Sequence, residues 1–243
     1  MTTTSAATAT DRRVVIVTGS AGGIGSSLVE AFEARGDIVV GLDIANGFDI
    51  TDRGACEAAA TEILATHGRI DVVCQNAGIG AVGSVVDATP EQWSAVFAVN
   101  VFGIANLSAA VIPSMRSQRS GTIVMTCSVA AEVGLVERAV YSASKGAVLA
   151  LAKAMAADEA GYGIRVNCVS PGTVDGPWVR RLIDAADDPA ATLAALEARQ
   201  PLGRLVAPEE VAAAVVFLAA PTTFTTGAEL LLDGGITGVR IVS

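Results

Sequence analysis

A glycine-rich turn between a strand and a helix is the feature that most constrains this chain. Residues 13–18 form an apolar run typical of a central parallel strand covered on both faces. The turn 19–25, GSAGGIG, follows directly, and an apolar helical pattern continues to Gly36. Glycines let the backbone approach a pyrophosphate, and a helix N-terminus offers free N–H groups. The stretch, with the turn placed between a strand and a helix, therefore predicts a dinucleotide-binding unit.

Further apolar runs alternate with helix-forming stretches along the chain. We expect seven strands, at 13–18, 38–42, 49–50, 70–74, 122–127, 164–169 and 228–232. The helices between them, among them one from about Arg53 to His67 and a long one begun by Pro90, imply right-handed crossovers. The pattern predicts an α/β, single-domain Rossmann fold: a doubly wound, seven-stranded parallel sheet with helices on both faces.

The chain length suits one domain, since 243 residues with 51% hydrophobic content can bury a large core. We expect a disordered tail over residues 1–11, a dinucleotide-binding domain over 12–243, and a substrate lid around 174–204. The tail lacks the apolar core of a secretory signal. No 18 apolar residues follow one another without interruption, so no transmembrane helix is predicted.

Charge and cysteine usage narrow the partners. The 25 acidic and 16 basic residues give a net charge of −9, which disfavours nucleic acid and anionic membranes. Three of the four cysteines lie in apolar strand-like runs, as reduced core thiols do, so we expect a cytoplasmic protein. The one histidine, His67, closes a helix, and no Cys-x-x-Cys pair occurs, so no metal site is predicted.

Asp43 stands at the C-terminal end of the second predicted strand. A carboxylate there can accept hydrogen bonds from both hydroxyls of an adenosine ribose and would repel a 2′-phosphate. Neither the glycine turn nor residues 44–45 carry the arginine or lysine that such a phosphate needs. The sequence therefore predicts NAD as the cofactor. The alternative is that Asp43 only caps a turn.

Tyr141 and Lys145 lie four residues apart on a predicted helix, so their side chains share a face. An ammonium beside a phenol stabilises the phenolate, which a general base at neutral pH requires. One cation is hardly sufficient, so a second positive group, such as a cofactor pyridinium, is expected nearby. The alternative is a surface tyrosine and lysine one turn apart.

Polar and small residues follow other predicted strands. Ser128 could hydrogen-bond a substrate carbonyl, or it could cap a turn. Asn100 lies in the middle of the long helix, where a buried amide needs partners, and it could serve only as a polar plug. The small residues of 76–78, NAG, and 170–172, SPG, let the chain pass close to a ligand.

These motifs together resemble the short-chain dehydrogenase/reductase family over about residues 13–235. The resemblance is carried by Thr18 and Gly19 with Gly23 and Gly25, by Asn76, Ala77 and Gly78, by Asn100, Ser128, Tyr141 and Lys145, and by Pro171 and Gly172. It implies that Tyr141 is the general acid/base, that Lys145 binds the nicotinamide ribose, and that Ser128 positions the carbonyl. Asn100 would hold a water that links Lys145 to solvent. A homotetramer formed through the long helices is implied as well.

The same resemblance implies the cofactor contacts and one departure. The contacts are Gly19, Ser20, Gly23, Ile24, Gly25, Asp43, Asp49, Ile50, Asn76, Ala77, Gly78, Tyr141, Lys145, Pro171, Gly172 and Val174. The family often has a threonine two residues after the position of Val174, where this chain has Gly176. A hydroxyl contact is therefore missing, and we expect weaker lid order or cofactor affinity.

A finer resemblance is to the branch that contains cytosolic-type 3-hydroxybutyrate and 2-keto-3-deoxy-L-fuconate dehydrogenases. Residues 138–141, 171–175 and 199–200 carry it. It implies that Arg138, Arg181 and Arg199 bind a substrate carboxylate beside Ser128 and Tyr141, because the planar guanidinium matches a carboxylate. Each arginine could instead be a surface charge.

The hypothesis that follows is an NAD-dependent dehydrogenase of a small hydroxy acid or sugar acid, with hydride passing between the substrate carbon and the nicotinamide. The same chemistry on a neutral alcohol, sugar or cyclic ketone is an alternative. A more remote one is a dinucleotide-sensing module without turnover. An epimerase or dehydratase is disfavoured, because such relatives need a longer C-terminal substrate domain.

Overall fold

The computed structural model describes residues 12–240, so the predicted tail over 1–11 lies outside the described residues. Its strands are Val14–Thr18 (β1), Ile38–Leu42 (β2), Val72–Gln75 (β3), Gly121–Thr126 (β4), Ile164–Pro171 (β5) and Glu229–Leu232 (β6). They form one parallel sheet in the order β2-β1-β3-β4-β5-β6. The predicted doubly wound α/β fold is confirmed.

The α-helices cover both faces of this sheet. They are Gly23–Glu33 (α1), Arg53–His67 (α2), Pro90–Phe97 (α3), Ile104–Gln118 (α4), Ala139–Glu159 (α5), Pro177–Asp184 (α6), Pro189–Ala198 (α7) and Pro208–Leu218 (α8). Apolar residues of α1 and α8 pack on one face, and those of α2, α4 and α5 pack on the other. The sheet is therefore the middle layer of three, and its strand ends remain open to a ligand.

The prediction of a seven-stranded sheet was wrong, because residues 12–240 contain six strands and none at Asp49–Ile50. The Asp49 carboxylate accepts hydrogen bonds from the N–H (2.9 Å) and the hydroxyl (2.8 Å) of Thr51. The Asn106 amide donates to the carbonyls of Ile50 (3.4 Å) and Thr51 (3.2 Å). Residues 49–51 therefore form a turn, and their backbone makes no hydrogen bonds to β2 of the kind that pair two strands. As a result β2 is an edge strand, and most of its residues are half-buried.

The long helix begun by Pro90 is interrupted by a π-helical segment, Ala98–Gly103, which carries Asn100. Such segments often occur at functional sites. By length and composition alone, Pro90–Gln118 could cross a membrane. In the structure, however, Leu107, Val111 and Met115 are fully buried in the core beneath the sheet. The segment is therefore a core helix of the fold.

Two helices, α6 and α7, occupy the range of the predicted lid. Val179 and Ile183 of α6 pack with Leu196 of α7 and with Leu205, so this region has a small core of its own. The four cysteines are free and buried. Residues 12–240 contain no group of three or more His, Cys, Asp or Glu side chains that could hold a metal ion.

Candidate active site

A cavity of about 950 Å³ opens at the C-terminal edge of the sheet. It is lined by residues at the ends of β1, β2, β3, β4 and β5, by the start of α5, and by α6 and α7. The carboxyl edge of a doubly wound sheet is where ligands bind, and this volume is at the upper end of ligand pockets.

The glycine turn is shaped for a close approach of backbone to a phosphate. Gly19 has φ +65°, a conformation that side chains disfavour. A Cβ added at Gly25 would lie 1.9 Å from the Gly19 carbonyl oxygen, so only glycine fits there. Helix α1 starts at Gly23 with no side-chain cap. The Gly25 N–H donates to the Gly22 carbonyl (2.7 Å), which leaves the N–H groups of Gly23 and Ile24 for a ligand. The cradle therefore fits the pyrophosphate of a dinucleotide.

Asp43 links the end of β2 to this turn. Its carboxylate accepts hydrogen bonds from the N–H groups of Ala21 (2.9 Å) and Ala45 (2.8 Å). The side chain lines the cavity, and each carboxylate oxygen retains capacity for a further donor. A ribose hydroxyl can therefore be accepted there without breaking either bond.

Thr18, Asn76 and Thr126 join three strand ends on the cavity floor. The Thr18 hydroxyl accepts hydrogen bonds from the N–H groups of Asn76 (2.9 Å) and Ala77 (3.0 Å). The Asn76 amide donates to the Thr18 carbonyl (3.1 Å) and accepts from the Thr126 hydroxyl (3.3 Å). The ends of β1, β3 and β4 are thereby held together, and the Asn76 side chain is used for that purpose.

Tyr141 and Lys145 share one face of α5, and both line the cavity. The Lys145 Nζ lies 5.7 Å from the centroid of the Tyr141 ring. Lys145 is buried, and its ammonium donates a 2.8 Å hydrogen bond to the Thr126 carbonyl. The ammonium is therefore fixed close to the phenol, inside the cavity.

Ser128 is buried and also lines the cavity. Its hydroxyl oxygen accepts a hydrogen bond from the Ala130 N–H (3.2 Å). A hydroxyl that accepts through its oxygen can still donate its own proton. Ser128 can therefore donate to a substrate oxygen.

Asn100 does not line the cavity but lies behind Gly78. Its side-chain oxygen accepts from the Ile79 N–H (2.8 Å), and its NH₂ group donates to the Ile79 carbonyl (3.0 Å) and the Ser144 hydroxyl (3.0 Å). Ser144 in turn donates to the Tyr141 carbonyl (2.7 Å). Asn100 thus connects the loop after β3 to the helix that carries Tyr141.

Arg138, Arg181 and Arg199 all line this cavity. Over residues 12–240, none of the three forms an ion pair with a carboxylate, whereas the neighbouring Arg180 of α6 pairs with Asp175 at 2.5 Å. Burial and the charge of Arg199 lower the pKa of Arg138. The side of the cavity formed by α6, α7 and the start of α5 is therefore positively charged and favours an anion.

Most predicted cofactor residues line the cavity. They are Gly19, Gly23, Ile24, Asp43, Asp49, Ile50, Asn76, Ala77, Gly78, Tyr141, Lys145, Pro171, Gly172 and Val174. Two do not line it. Ser20 directs its hydroxyl toward Gly41, where an added Cβ would lie 2.6 Å from it, and Gly25 packs under Gly19. Gly176 also lines the cavity, with nothing within 4 Å of an added Cβ.

Several lining residues were missed by the sequence reasoning. They include Ile79, Gly80, Leu135 and Trp178. Ile79 and Gly80 continue the 76–78 motif, which could have indicated them. Trp178 follows the proline that begins α6, and the chain has only two tryptophans. A rare aromatic residue at this position could have indicated a contact with the ligand. No local pattern marks Leu135.

Comparisons with known proteins agree with this fold. A family model described as enoyl-(acyl carrier protein) reductase matches residues 19–237. L-fucose dehydrogenase of Mus musculus is 38% identical over 240 residues, covering 92% of this chain and 88% of the relative. Dehydrogenase/reductase SDR family member 6 of Danio rerio is 37% identical over 243 residues, covering 93% and 97%. The ligand-free structure of Thermoplasma acidophilum aldohexose dehydrogenase superposes with a TM-score of 0.90 at 32% identity, covering 96% and 97%.

Proposed function

The chain belongs to the short-chain dehydrogenase/reductase family, and on that premise we propose that it oxidises a small hydroxy acid or sugar acid with NAD. It is an oxidoreductase that acts on the CH–OH group of a secondary alcohol or a sugar. The substrate class, the cofactor and the roles of individual residues are the parts proposed here.

The observation that supports an acid as the substrate is a set of cavity arginines without ion-pair partners. Arg138, Arg181 and Arg199 line the same cavity as Tyr141 and Lys145 and lack carboxylate partners among residues 12–240. Arg138 is half-buried, whereas Arg181 and Arg199 are exposed. A half-buried cation is costly unless a counter-charge meets it. A carboxylate on the substrate supplies that charge, and the guanidinium fork can bind it through two hydrogen bonds.

The chemistry proposed for this site is proton transfer at the substrate oxygen. Tyr141 removes the hydroxyl proton during oxidation and returns it during reduction. Ser128 donates a hydrogen bond to the same oxygen, because its own oxygen is already held by Ala130 N–H. Lys145 stabilises the phenolate from a position fixed by Thr126. Asn100 positions Tyr141 through Ser144, and the water-holding role implied by the family is a further prediction for it.

A nicotinamide dinucleotide fits the remaining part of the cavity and, when bound, supplies the hydride acceptor. The glycine turn would hold its pyrophosphate, since side chains are excluded at Gly19 and Gly25. Asp43 would bind the adenosine ribose, and its charge disfavours the 2′-phosphate of NADP. These features support NAD as the cofactor.

A neutral sugar is the second candidate. Two relatives named above, L-fucose dehydrogenase and aldohexose dehydrogenase, take their names from sugars without a carboxylate. In that case the arginines would bind sugar hydroxyls, for which a charged partner is not required. Both candidates use the same proposed chemistry at Tyr141, so only the lid side of the cavity differs.

A substrate screen separates these candidates. We would measure the appearance of reduced cofactor with 3-hydroxybutyrate, other hydroxy acids, aldonic acids, L-fucose and aldohexoses, using NAD and NADP side by side. The proposal expects the highest kcat/KM with an acid and NAD. Arg138→Met should lower kcat/KM for acids about 100-fold, the loss of a charged hydrogen-bonded contact, and change that for neutral sugars little.

The control for this screen is Arg180→Met, because Arg180 already pairs with Asp175 and does not line the cavity. A sugar as the best substrate, with a fall in kcat/KM of about tenfold or less on Arg138→Met, would favour the second candidate. Cofactor binding without turnover of any alcohol would revive a dinucleotide-sensing module and contradict the proposed chemistry.

We also propose a homotetramer in the cytoplasm. Ala143 and Ala150 of α5 are exposed, and an added Cβ at Gly146 would meet nothing within 4 Å, so a helix of another copy can approach closely. The exposed Phe102 in the π-helical segment adds apolar surface. Light scattering after size exclusion tests the assembly, and a monomer would contradict it. Free, buried cysteines suit a reducing compartment.

A further inference from the structure

The first turn of the lid touches both sides of the cavity. An added Cβ at Gly23 in the glycine turn would lie 3.2 Å from Pro177 Cδ. An added Cβ at Gly80, in the loop after β3, would lie 3.0 Å from Trp178 Cζ2 and 3.1 Å from Cε2. Both positions are therefore tight enough to suit glycine. Pro177 and Trp178 thus extend from the glycine turn to the loop that follows β3.

Trp178 also contacts one of the cavity arginines. The Arg138 guanidinium carbon lies 5.6 Å from the centroid of the Trp178 ring, which is within the range of a cation–π interaction. Arg138 and Trp178 both line the cavity, and 43% of Trp178 is exposed. The indole therefore forms part of the cavity wall and also contacts the Arg138 guanidinium.

The main chain at Arg138 is fixed independently of the lid. Gly83 N–H donates to the Glu137 carbonyl (3.0 Å), and Ala139 N–H donates to the Gly83 carbonyl (3.3 Å). The guanidinium itself donates to the Glu137 carbonyl (2.9 Å) and has no ion-pair partner over residues 12–240. The side chain is therefore held by one carbonyl and by the indole.

We propose that Trp178 is a positioning residue for Arg138 and thereby favours carboxylate substrates over neutral ones. The inference rests on the proposed function, in which Arg138 binds a substrate carboxylate. An arginine held in one rotamer before binding loses less conformational freedom when the anion arrives. Without the indole, the guanidinium can turn toward water, and the carboxylate is bound less tightly while the reacting atoms stay in place.

Kinetics of Trp178→Ala and Trp178→Phe test this role with 3-hydroxybutyrate and L-fucose as probes. Trp178→Ala should raise KM for the acid about five- to tenfold, as loss of a cation–π contact would, with a much smaller change in kcat. KM for the neutral sugar should change less than that for the acid. Trp178→Phe keeps a ring face and should restore most of the affinity. In an Arg138→Met background, Trp178→Ala should add nothing further.

A purely structural role for Trp178 gives different results. Equal rises in KM for both probes, or effects of Trp178→Ala and Arg138→Met that multiply, would overturn the proposal. Gly80→Ala displaces the Trp178 ring without replacing it, because the new Cβ would push against the indole. It should reproduce the selective rise in KM for the acid, and an equal change for both probes would count against the proposal.

Fluorescence provides a readout that needs no substrate. The chain has two tryptophans, and Trp93 lies in α3 outside the cavity lining, so Trp93→Phe leaves Trp178 as the one indole. In that protein, Arg138→Met should raise the acrylamide quenching constant about twofold, whereas Arg180→Met should not. Equal quenching in the two variants would overturn the positioning contact. If quenching changes as expected but no hydroxy acid is oxidised, the contact between Arg138 and Trp178 is supported. The proposed substrate class is then refuted.

Discussion

The ammonium of Lys145 lies 5.7 Å from the centre of the Tyr141 ring, on the same face of one helix. Burial and the hydrogen bond to the Thr126 carbonyl keep this charge in place. Because the ammonium is held away from solvent, its field at the phenol is screened less than at a surface. This relationship supports the proton transfer proposed for Tyr141.

Replacing Tyr141 with phenylalanine tests that transfer. The ring stays and the proton carrier is lost, so we expect kcat/KM to fall about 10²- to 10⁴-fold, the usual contribution of a general acid/base. Dinucleotide binding and the melting temperature should stay close to wild type. The control is Tyr162→Phe, since the Tyr162 ring stacks 4.6 Å from Arg116 and does not line the cavity. Wild-type rates in Tyr141→Phe would contradict the proposed role.

Replacing Gly25 with alanine tests the glycine turn. The new Cβ would lie 1.9 Å from the Gly19 carbonyl oxygen, so the turn must move. We expect a loss of dinucleotide affinity in a fluorescence titration and a fall of about 2 kcal/mol or more in the free energy of unfolding. Gly22→Ala is the stability control, because an added Cβ there meets nothing within 4 Å and only a weak cap is changed. Equal stability of the two variants would be inconsistent with this account.

Asp43→Asn tests the choice of dinucleotide. The amide is uncharged, so repulsion of a 2′-phosphate is removed, and we expect kcat/KM with NADP to rise about tenfold, or roughly 1.4 kcal/mol. Asp49→Asn is a matched control elsewhere in the cavity, and it should affect both dinucleotides alike. The comparison needs initial rates with NAD and NADP at one ionic strength. A wild-type protein that prefers NADP would contradict the role given to Asp43.

Glu210 provides a pH test of stability at the start of α8. Hydrogen bonds from Arg204 (2.6 and 2.7 Å) and from Ala207 N–H (2.9 Å) lower the pKa of Glu210 from 4.5 to about 2. Because the pKa is lower in the folded state, the stabilisation is complete above the unfolded pKa and is lost as pH falls toward 2. Since 43% of the side chain is exposed, screening limits the effect to about 1 kcal/mol.

Urea unfolding at pH 7, 5 and 3 measures this contribution. Glu210→Gln should be less stable than wild type at pH 7, and the difference should shrink as pH falls toward 3. Glu57→Gln, at an exposed pair with Arg53 on α2, is the control and should show little difference at any pH. A difference for Glu210→Gln that is independent of pH would show that the ion pair is not its source.

Local sequence patterns were sufficient for much of this protein. Apolar runs indicated all six observed strands, because strand burial leaves a continuous signature in a parallel sheet. The glycine turn specified its own geometry, since φ +65° at Gly19 favours glycine. The four-residue spacing of Tyr141 and Lys145 placed both on one helix face. Each of these features depends on residues that are close together in the chain.

Only the tertiary structure decided the features that join distant residues. Asn106 of α4 donates to the Ile50 carbonyl, where a strand was expected and a turn is found. Asn100 bonds to Ile79 and Ser144 from within a π-helical segment. The meeting of Arg138, Arg181 and Arg199 in one cavity, and of Trp178 with Arg138, likewise depends on how α6 and α7 pack beside the start of α5. Periodicity records which face of an element is apolar. It does not record which distant side chain meets that face, because this contact is set by how the whole chain packs.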